Sequence, residues 1–140
     1  MSTTETGIER IAAERKRQIE KEGWTPEHDD EHADGSLRRA AICYAKLAVP
    51  NLEYRHVKYP PEGWPISWAD TWWKPGLEPG QTMEDHHAIR MLEKAGALIA
   101  AEIDRLERRP VPPWVCAKCR KPMQFKDGMC WECFGGDPGQ

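Results

Sequence analysis

The chain has 140 residues, a length typical of one domain, and a chain of this size can bury a core without disulfide bonds. Its formal net charge of −3 excludes a general attraction to nucleic acid or to an anionic membrane surface. There is no apolar run of the roughly 20 residues needed to cross a bilayer, and the N-terminus lacks a signal-peptide pattern. We therefore expect a cytoplasmic protein without membrane contact.

Two short amphipathic helices are predicted in the first third of the chain. Thr6 and Glu9 have the spacing of a capping box, and the first helix is expected to end at Gly23. Its apolar stripe consists of Ile8, Ile11, Ala12 and Ile19. The second helix follows Ser36 and stops before Pro50, with a buried face formed by Leu37, Ala41, Tyr44 and Leu47. Cys43, in the same helix, is expected to be a small buried side chain.

Residues 50–81 change in character, because they are rich in proline and contain Trp64, Trp68, Trp72 and Trp73. No periodicity is visible, so a long ordered loop is predicted, since disordered segments are poor in aromatic residues. Two interpretations stay open for the indoles: they cover the core as a lid, or they contact a ligand.

A third and longer helix is predicted from Thr82 to Arg109. Its continuous apolar stripe comprises Ile89, Leu92, Gly96, Ile99, Ile103 and Leu106. Gly96 within the stripe indicates close approach of another helix. The sequence therefore predicts a mainly α fold: a small helical bundle with a long Trp/Pro-rich loop over residues 1–109, and then a stiff linker at 110–113.

The C-terminal residues 114–140 contain four cysteines in two C-x2-C pairs, which are Cys116, Cys119, Cys130 and Cys133. This pattern resembles the zinc-ribbon family. Four thiolates close the coordination shell of Zn²⁺, so the ion is expected to be structural. Basic residues and two aromatic rings, Phe125 and Trp131, suit single-stranded nucleic acid as a partner of the ribbon, but its positive charges are few and docking on a host protein is the alternative.

Residues 22–32, EGWTPEHDDEH, concentrate carboxylates beside two histidines. Glu27, Asp30 and Glu31 have spacings that share one face of a helical turn. Together with Glu102 of the third helix they are candidate oxygen ligands for Mg²⁺ or Mn²⁺. Three alternatives stay open: acids stabilising a helix N-terminus, a salt bridge between Glu102 and an arginine such as Arg10 or Arg15, and a metal that only holds the turn.

The segments ERKRQIEKEGWTPEHDDEHADGSL, AAICYA, WWKP and KAGALIAAEIDRL resemble a family of small proteins common in phages and prophages. The resemblance covers about residues 8–108, and it implies the host cytoplasm as the location if the chain is phage-encoded. More distantly, the chain is similar to the all-α nucleotide pyrophosphohydrolases of the MazG kind. In that superfamily, carboxylates on two packed helices hold magnesium, which binds a triphosphate and positions a water for attack between the α and β phosphorus atoms. Such proteins are usually homo-oligomers.

This resemblance implies that Glu27 and Asp30 correspond to the first acidic pair of the superfamily and that Glu102 is an acid from the later helix. We therefore expect a magnesium-dependent hydrolase of nucleoside triphosphates. Its catalytic and metal-binding residues are predicted to be Glu27, Asp30, Glu31 and Glu102. Its substrate-binding residues are predicted to be Lys74, Trp68, Trp72 and Trp73. The alternative is a non-enzymatic binding or inhibitor protein that docks on a host protein or nucleic-acid complex.

Overall fold

The structure, a computed structural model, describes residues 4–109. This part of the chain forms four α-helices, α1 (Gly7–Lys21), α2 (Pro26–Asp30), α3 (Ser36–Leu47) and α4 (Asp85–Arg108), with two short 3₁₀ helices at Tyr54–His56 and Asp70–Trp72. The predicted mainly α class is confirmed. No described helix is both long enough and apolar enough to cross a membrane. The helical unit ends at Glu107, and the predicted linker and zinc ribbon lie outside the described residues.

Local capping sets the first two helix starts. At α1 the predicted capping box is present: the Glu9 backbone N–H donates to the Thr6 hydroxyl at 3.2 Å, and the Thr6 N–H donates to the Glu9 carboxylate at 3.2 Å. At α2 the hydroxyl of Thr25 accepts the His28 N–H at 3.3 Å, and Pro26 occupies the first helical position. Between them Gly23 has a φ of 76°, a conformation that glycine adopts without steric cost and that ends α1 as expected.

The segment between α3 and α4 has its two ends joined by backbone hydrogen bonds. The Met83 N–H donates to the Leu52 carbonyl at 2.6 Å, and the Tyr54 N–H donates to the Gln81 carbonyl at 3.0 Å. Within the segment, the indole N–H of Trp73 donates to the Val57 carbonyl at 2.7 Å. These bonds connect parts of the segment to one another, so it is an ordered loop that contains the two short 3₁₀ helices.

The core lies between α3, this segment and α4. Leu37 and Tyr44 of α3 pack with the segment's Trp73 and with Met91 and Leu98 of α4 in one buried cluster. Cys43 is buried and free, as predicted. Trp68 and Trp73 belong to this cluster, so two of the four loop indoles are core side chains.

The predicted buried face of α4 is wrong. Of the predicted stripe, Ile89, Leu92, Ile99 and Ile103 are 43–55% exposed. The buried face is instead formed by Ala88, Met91, Ala95, Leu98 and Ala101. Both sets are apolar and both recur at helical spacing, so periodicity alone could not choose between them. The face rich in alanine lets α4 approach its neighbours closely.

The close helix contact predicted at Gly96 is confirmed. A Cβ atom at Gly96 would lie 2.6 Å from Cδ1 of Ile11, so α1 crosses α4 at this point. The predicted apolar face of α1 is otherwise wrong, because Ile8 is exposed and the buried residues of this helix are Glu14 and Gln18. The inner face of α1 is therefore polar.

Candidate functional site

A pocket of about 350 Å³ lies where the polar face of α1 meets the other helices and the loop segment. Its volume is within the range of small-molecule sites. The lining residues come from all four helices and the chain around them, and are Glu14, Arg17, Gln18, Glu22, Trp24, His28, Tyr44, Trp72, Lys74, Lys94 and Leu98.

Glu14 is the centre of an ion-pair network on one wall of the pocket. Arg17 donates to its two carboxylate oxygens from Nε at 2.6 Å and Nη2 at 3.0 Å. Arg90 of α4 approaches the same carboxylate at 2.7 Å, and Gln18 donates to it at 3.1 Å. Burial opposes ionisation of Glu14, but these donors outweigh it and lower its pKa. The bond to Glu14 in turn raises the pKa of Arg17, so both groups stay charged.

Lys94 and Tyr44 attach residues 72–74 of the loop segment to the helices. The Lys94 ammonium donates to the Lys74 carbonyl at 2.7 Å and lies 5.8 Å from the centre of the Tyr44 ring. The Tyr44 hydroxyl donates to the Trp72 carbonyl at 3.3 Å and accepts the Lys74 N–H at 3.0 Å. Burial, followed by the nearby Arg90, lowers the pKa of Lys94 to about 8. Burial raises the pKa of Tyr44 to about 12, so its hydroxyl stays protonated.

Aromatic rings form the other wall. Trp24, Tyr44 and Trp72 line the pocket, and Trp68 lies beside both indoles, 6.0 Å from Trp24 and 5.3 Å from Trp72 between ring centres. Trp73 stacks on Tyr44 with 4.6 Å between the ring centres and 28° between the planes. Of the four predicted substrate-binding residues, Lys74 and Trp72 therefore line the pocket. Trp68 and Trp73 are buried and absent from its lining.

The four predicted metal ligands lie elsewhere. Glu27, Asp30 and Glu31 are exposed on or beside α2, and Glu102 accepts a hydrogen bond from Arg105 at 2.5 Å. None of the four lines the pocket, and no three of them bring oxygens within 4.8 Å of one another. Glu102 thus forms a salt bridge, but its partner is Arg105 of its own helix and not Arg10 or Arg15, which pair with Glu93 and Asp29.

Within residues 4–109 a group of potential ligands with that spacing is formed by Glu84, His86 and His87. These side chains have local partners at the start of α4. His87 Nδ1 accepts the Glu84 backbone N–H at 3.0 Å, and His86 Nδ1 lies 3.2 Å from the Glu84 carboxylate. Glu84 and His86 are exposed and His87 is half-buried, and the group stands at the positive end of a helix dipole, which disfavours a cation.

The buried acid of EGWTPEHDDEH is Asp29, which is not among the predicted site residues. Arg15 of α1 donates to it at 2.7 Å and also reaches the Trp24 carbonyl at 3.3 Å. Burial raises the pKa of Asp29 more than Arg15 lowers it. Beside it, burial and the neighbouring His28 lower the pKa of His32. The acidic turn is therefore held to α1 by a buried ion pair.

Sequence reasoning missed most of the pocket, namely Glu14, Arg17, Gln18, Glu22, Trp24, His28 and Lys94. One signal was available: polar residues recur at steps of three and four along α1, from Glu14 to Glu22. Comparison of the chain with protein-family models, curated proteins and solved structures gave no match.

Proposed function

We propose that the protein is a nucleotide pyrophosphohydrolase that binds a nucleoside triphosphate in the α1–α4 pocket. The observation that carries this proposal is the meeting of three cations with aromatic rings in one pocket. Arg17, Lys74 and Lys94 come from α1, the loop segment and α4. The rings that line the pocket beside them are those of Trp24, Tyr44 and Trp72. Triphosphates need both kinds of group, since they combine a polyanion with a flat heterocycle.

The charges of the pocket favour an anionic ligand. Three cations face two carboxylates, Glu14 and Glu22, which leaves one positive charge in excess when Lys94 is protonated. Arginine and lysine are the usual phosphate contacts in proteins. Trp24 and Trp72 offer faces on which a base would stack, an interaction of about 1–3 kcal/mol per base.

The metal expected for this chemistry fits only as an ion that enters with the substrate. Magnesium is commonly bound through substrate phosphates and one or two carboxylates, with water completing its shell. Within the pocket, Glu14 and Glu22 are the carboxylates available, and both already pair with cations. The dispersed Glu27, Asp30, Glu31 and Glu102 do not fit a resident ion. Bound to the triphosphate, Mg²⁺ or Mn²⁺ would neutralise phosphate charge.

The test is pyrophosphate release from a panel of ribo- and deoxynucleoside triphosphates with Mg²⁺, with Mn²⁺ or without added metal. Lys74→Met should lower kcat/KM by at least about tenfold, because a charged phosphate contact contributes about 1.5–3 kcal/mol. Lys46→Met, an exposed lysine outside the pocket, is the matched control and should retain full activity.

The Glu102→Gln variant tests whether the active site is the pocket or the group of carboxylates predicted from the sequence. The pocket assignment predicts retained activity, since Glu102 pairs with Arg105 outside it. If a folded Glu102→Gln variant lost metal-dependent pyrophosphate release, the active site would instead be the predicted carboxylates. No release from any nucleotide by the wild type would refute the enzymatic proposal.

A second candidate is a non-enzymatic protein that docks on a host protein. The observation that favours it is the row of half-exposed Ile89, Leu92, Ile99 and Ile103 on α4, because large apolar patches are typical of interaction sites. Ile99→Asp with Ile103→Asp should abolish capture of such a partner while leaving nucleotide hydrolysis unchanged. If the enzymatic proposal holds, these substitutions should have no effect on kcat.

A further inference from the structure

Glu22 occupies the part of the pocket where two of its cations, Arg17 and Lys74, meet. Its Oε1 accepts a hydrogen bond from Nη1 of Arg17 at 3.0 Å, and its Oε2 lies 3.7 Å from the Lys74 ammonium. The carboxylate thus joins α1 to the loop segment across the pocket. Any anion that approached these two cations would compete with Glu22.

Glu14 and Glu22 differ in how firmly they are held. The Glu14 side chain is 1% exposed and has three donor residues, whereas that of Glu22 is 26% exposed. Glu22 is also the C-cap of α1, where the helix dipole disfavours a negative charge, and flexible Gly23 follows it. Arg17 keeps both bonds to Glu14 when Glu22 leaves, so its Nη1 edge stays oriented for another acceptor.

We propose that Glu22 sets the phosphate affinity of the pocket by holding Arg17 and Lys74 until a phosphate group replaces it. The inference rests on the proposed function, since it names the phosphate subsite of the same pocket. A phosphate carries more charge and more acceptor oxygens than one carboxylate, so it can take over both cations. Glu22 swings away at the α1 terminus, and the Glu14–Arg17 pair remains in place.

The experiment is isothermal titration of inorganic pyrophosphate and of adenosine into the full-length protein in buffer without divalent cations. Glu22→Gln should bind pyrophosphate about five- to tenfold more tightly than the wild type, because the internal competitor for a charged hydrogen bond is gone. Adenosine, which carries no phosphate, should bind both proteins equally. Glu20→Gln is the matched control, because Glu20 carries the same charge at an exposed position of α1, 4.0 Å from Lys16. It should leave pyrophosphate affinity unchanged.

A second comparison tests whether the gain in pyrophosphate affinity depends on Lys74, one of the two cations that contact Glu22. In a Lys74→Met background, Glu22→Gln should increase pyrophosphate affinity by a smaller factor, because one of the two cations is missing. Equal or weaker pyrophosphate binding by folded Glu22→Gln, beside measurable binding by the wild type, would overturn the role of Glu22 and leave the pocket assignment intact. An equal gain from Glu20→Gln would also overturn it. Absence of pyrophosphate and nucleotide binding in all variants would refute the pocket and Glu22 together.

Discussion

Replacing Arg15 by methionine should destabilise the helical unit by about 3–5 kcal/mol at neutral pH, because it leaves a buried carboxylate without its cation. Asp29 is fully buried, and Arg15 approaches it at 2.7 Å with only 12% of its own side chain exposed. Asp29 Oδ1 is buried and has no hydrogen-bond partner within the described residues. Arg15 is therefore the main compensation for the charge.

The cost of Arg15→Met should depend on pH in a defined direction. The pKa of Asp29 is already above its ordinary value of 3.8, since burial outweighs the attraction of Arg15, and removing Arg15 raises it further. A carboxyl group with a raised folded-state pKa binds its proton more tightly in the folded protein. The free energy of unfolding therefore falls as pH rises from 3.8 through the folded-state pKa. The variant should be most destabilised at neutral pH and should recover in acid relative to the wild type.

Urea unfolding followed by tryptophan fluorescence measures both effects. In an Asp29→Asn background, Arg15→Met should cost much less, because no charge is left to compensate. Arg10→Met is the matched control on the same helix: Arg10 pairs with Glu93 at 3.4 Å and is 41% exposed, so its replacement should cost under about 1 kcal/mol. Two results would refute the reasoning. One is a loss of unfolding free energy for Arg15→Met that is no larger than that for Arg10→Met. The other is a loss for Arg15→Met that is the same in the Asp29→Asn background.

Two further predictions concern the helix contact and the pocket. Gly96→Ala should destabilise the protein by about 1–2 kcal/mol in urea unfolding, because overpacking against Ile11 exceeds the gain in helix propensity. In an Ile11→Ala background, which lacks the three Ile11 atoms that lie 2.6, 2.7 and 3.2 Å from the new Cβ, Gly96→Ala should cost much less. An unchanged or higher unfolding midpoint for Gly96→Ala would contradict the close packing. Affinity for a non-hydrolysable nucleoside triphosphate should fall as pH rises through about 8, where Lys94 loses its charge. Lys94→Met should bind the nucleotide more weakly at neutral pH, and its affinity should not fall further as pH rises through about 8. If the affinity of the variant still fell in this pH range, the titrating group would be a residue other than Lys94.

Features determined by neighbouring residues could be predicted from the sequence. The Thr6–Glu9 capping box, the end of α1 at Gly23 and the buried Cys43 follow from rules that apply within one or two helical turns. The contact at Gly96 was predictable for a similar reason, since glycine within a long helix is tolerated best where another backbone or side chain comes close.

The orientation of α4 could not be predicted in this way. Its isoleucine-rich and alanine-rich faces have the same periodicity, and hydrophobicity alone favours the larger side chains. Burial follows instead from how closely α3 and the loop approach, and that distance depends on residues far along the chain. The observed packing buries Met91 and Leu98 among alanines and leaves Ile99 and Ile103 exposed.

The pocket was missed for a related reason. Glu14, Arg17 and Glu22 look like the solvated face of a short helix, because a carboxylate is costly to bury without partners. Arg17 lies at helical spacing from Glu14, but the other arginine partner, Arg90, belongs to α4 and cannot be paired with Glu14 from spacing. Arg17 then serves two purposes: its bidentate bond helps to compensate the buried Glu14, and its remaining edge faces Glu22 and the pocket. The same arginine thus stabilises the polar inner face of α1 and supplies a cation to the candidate phosphate site, so the fold and the proposed function depend on one ion-pair network.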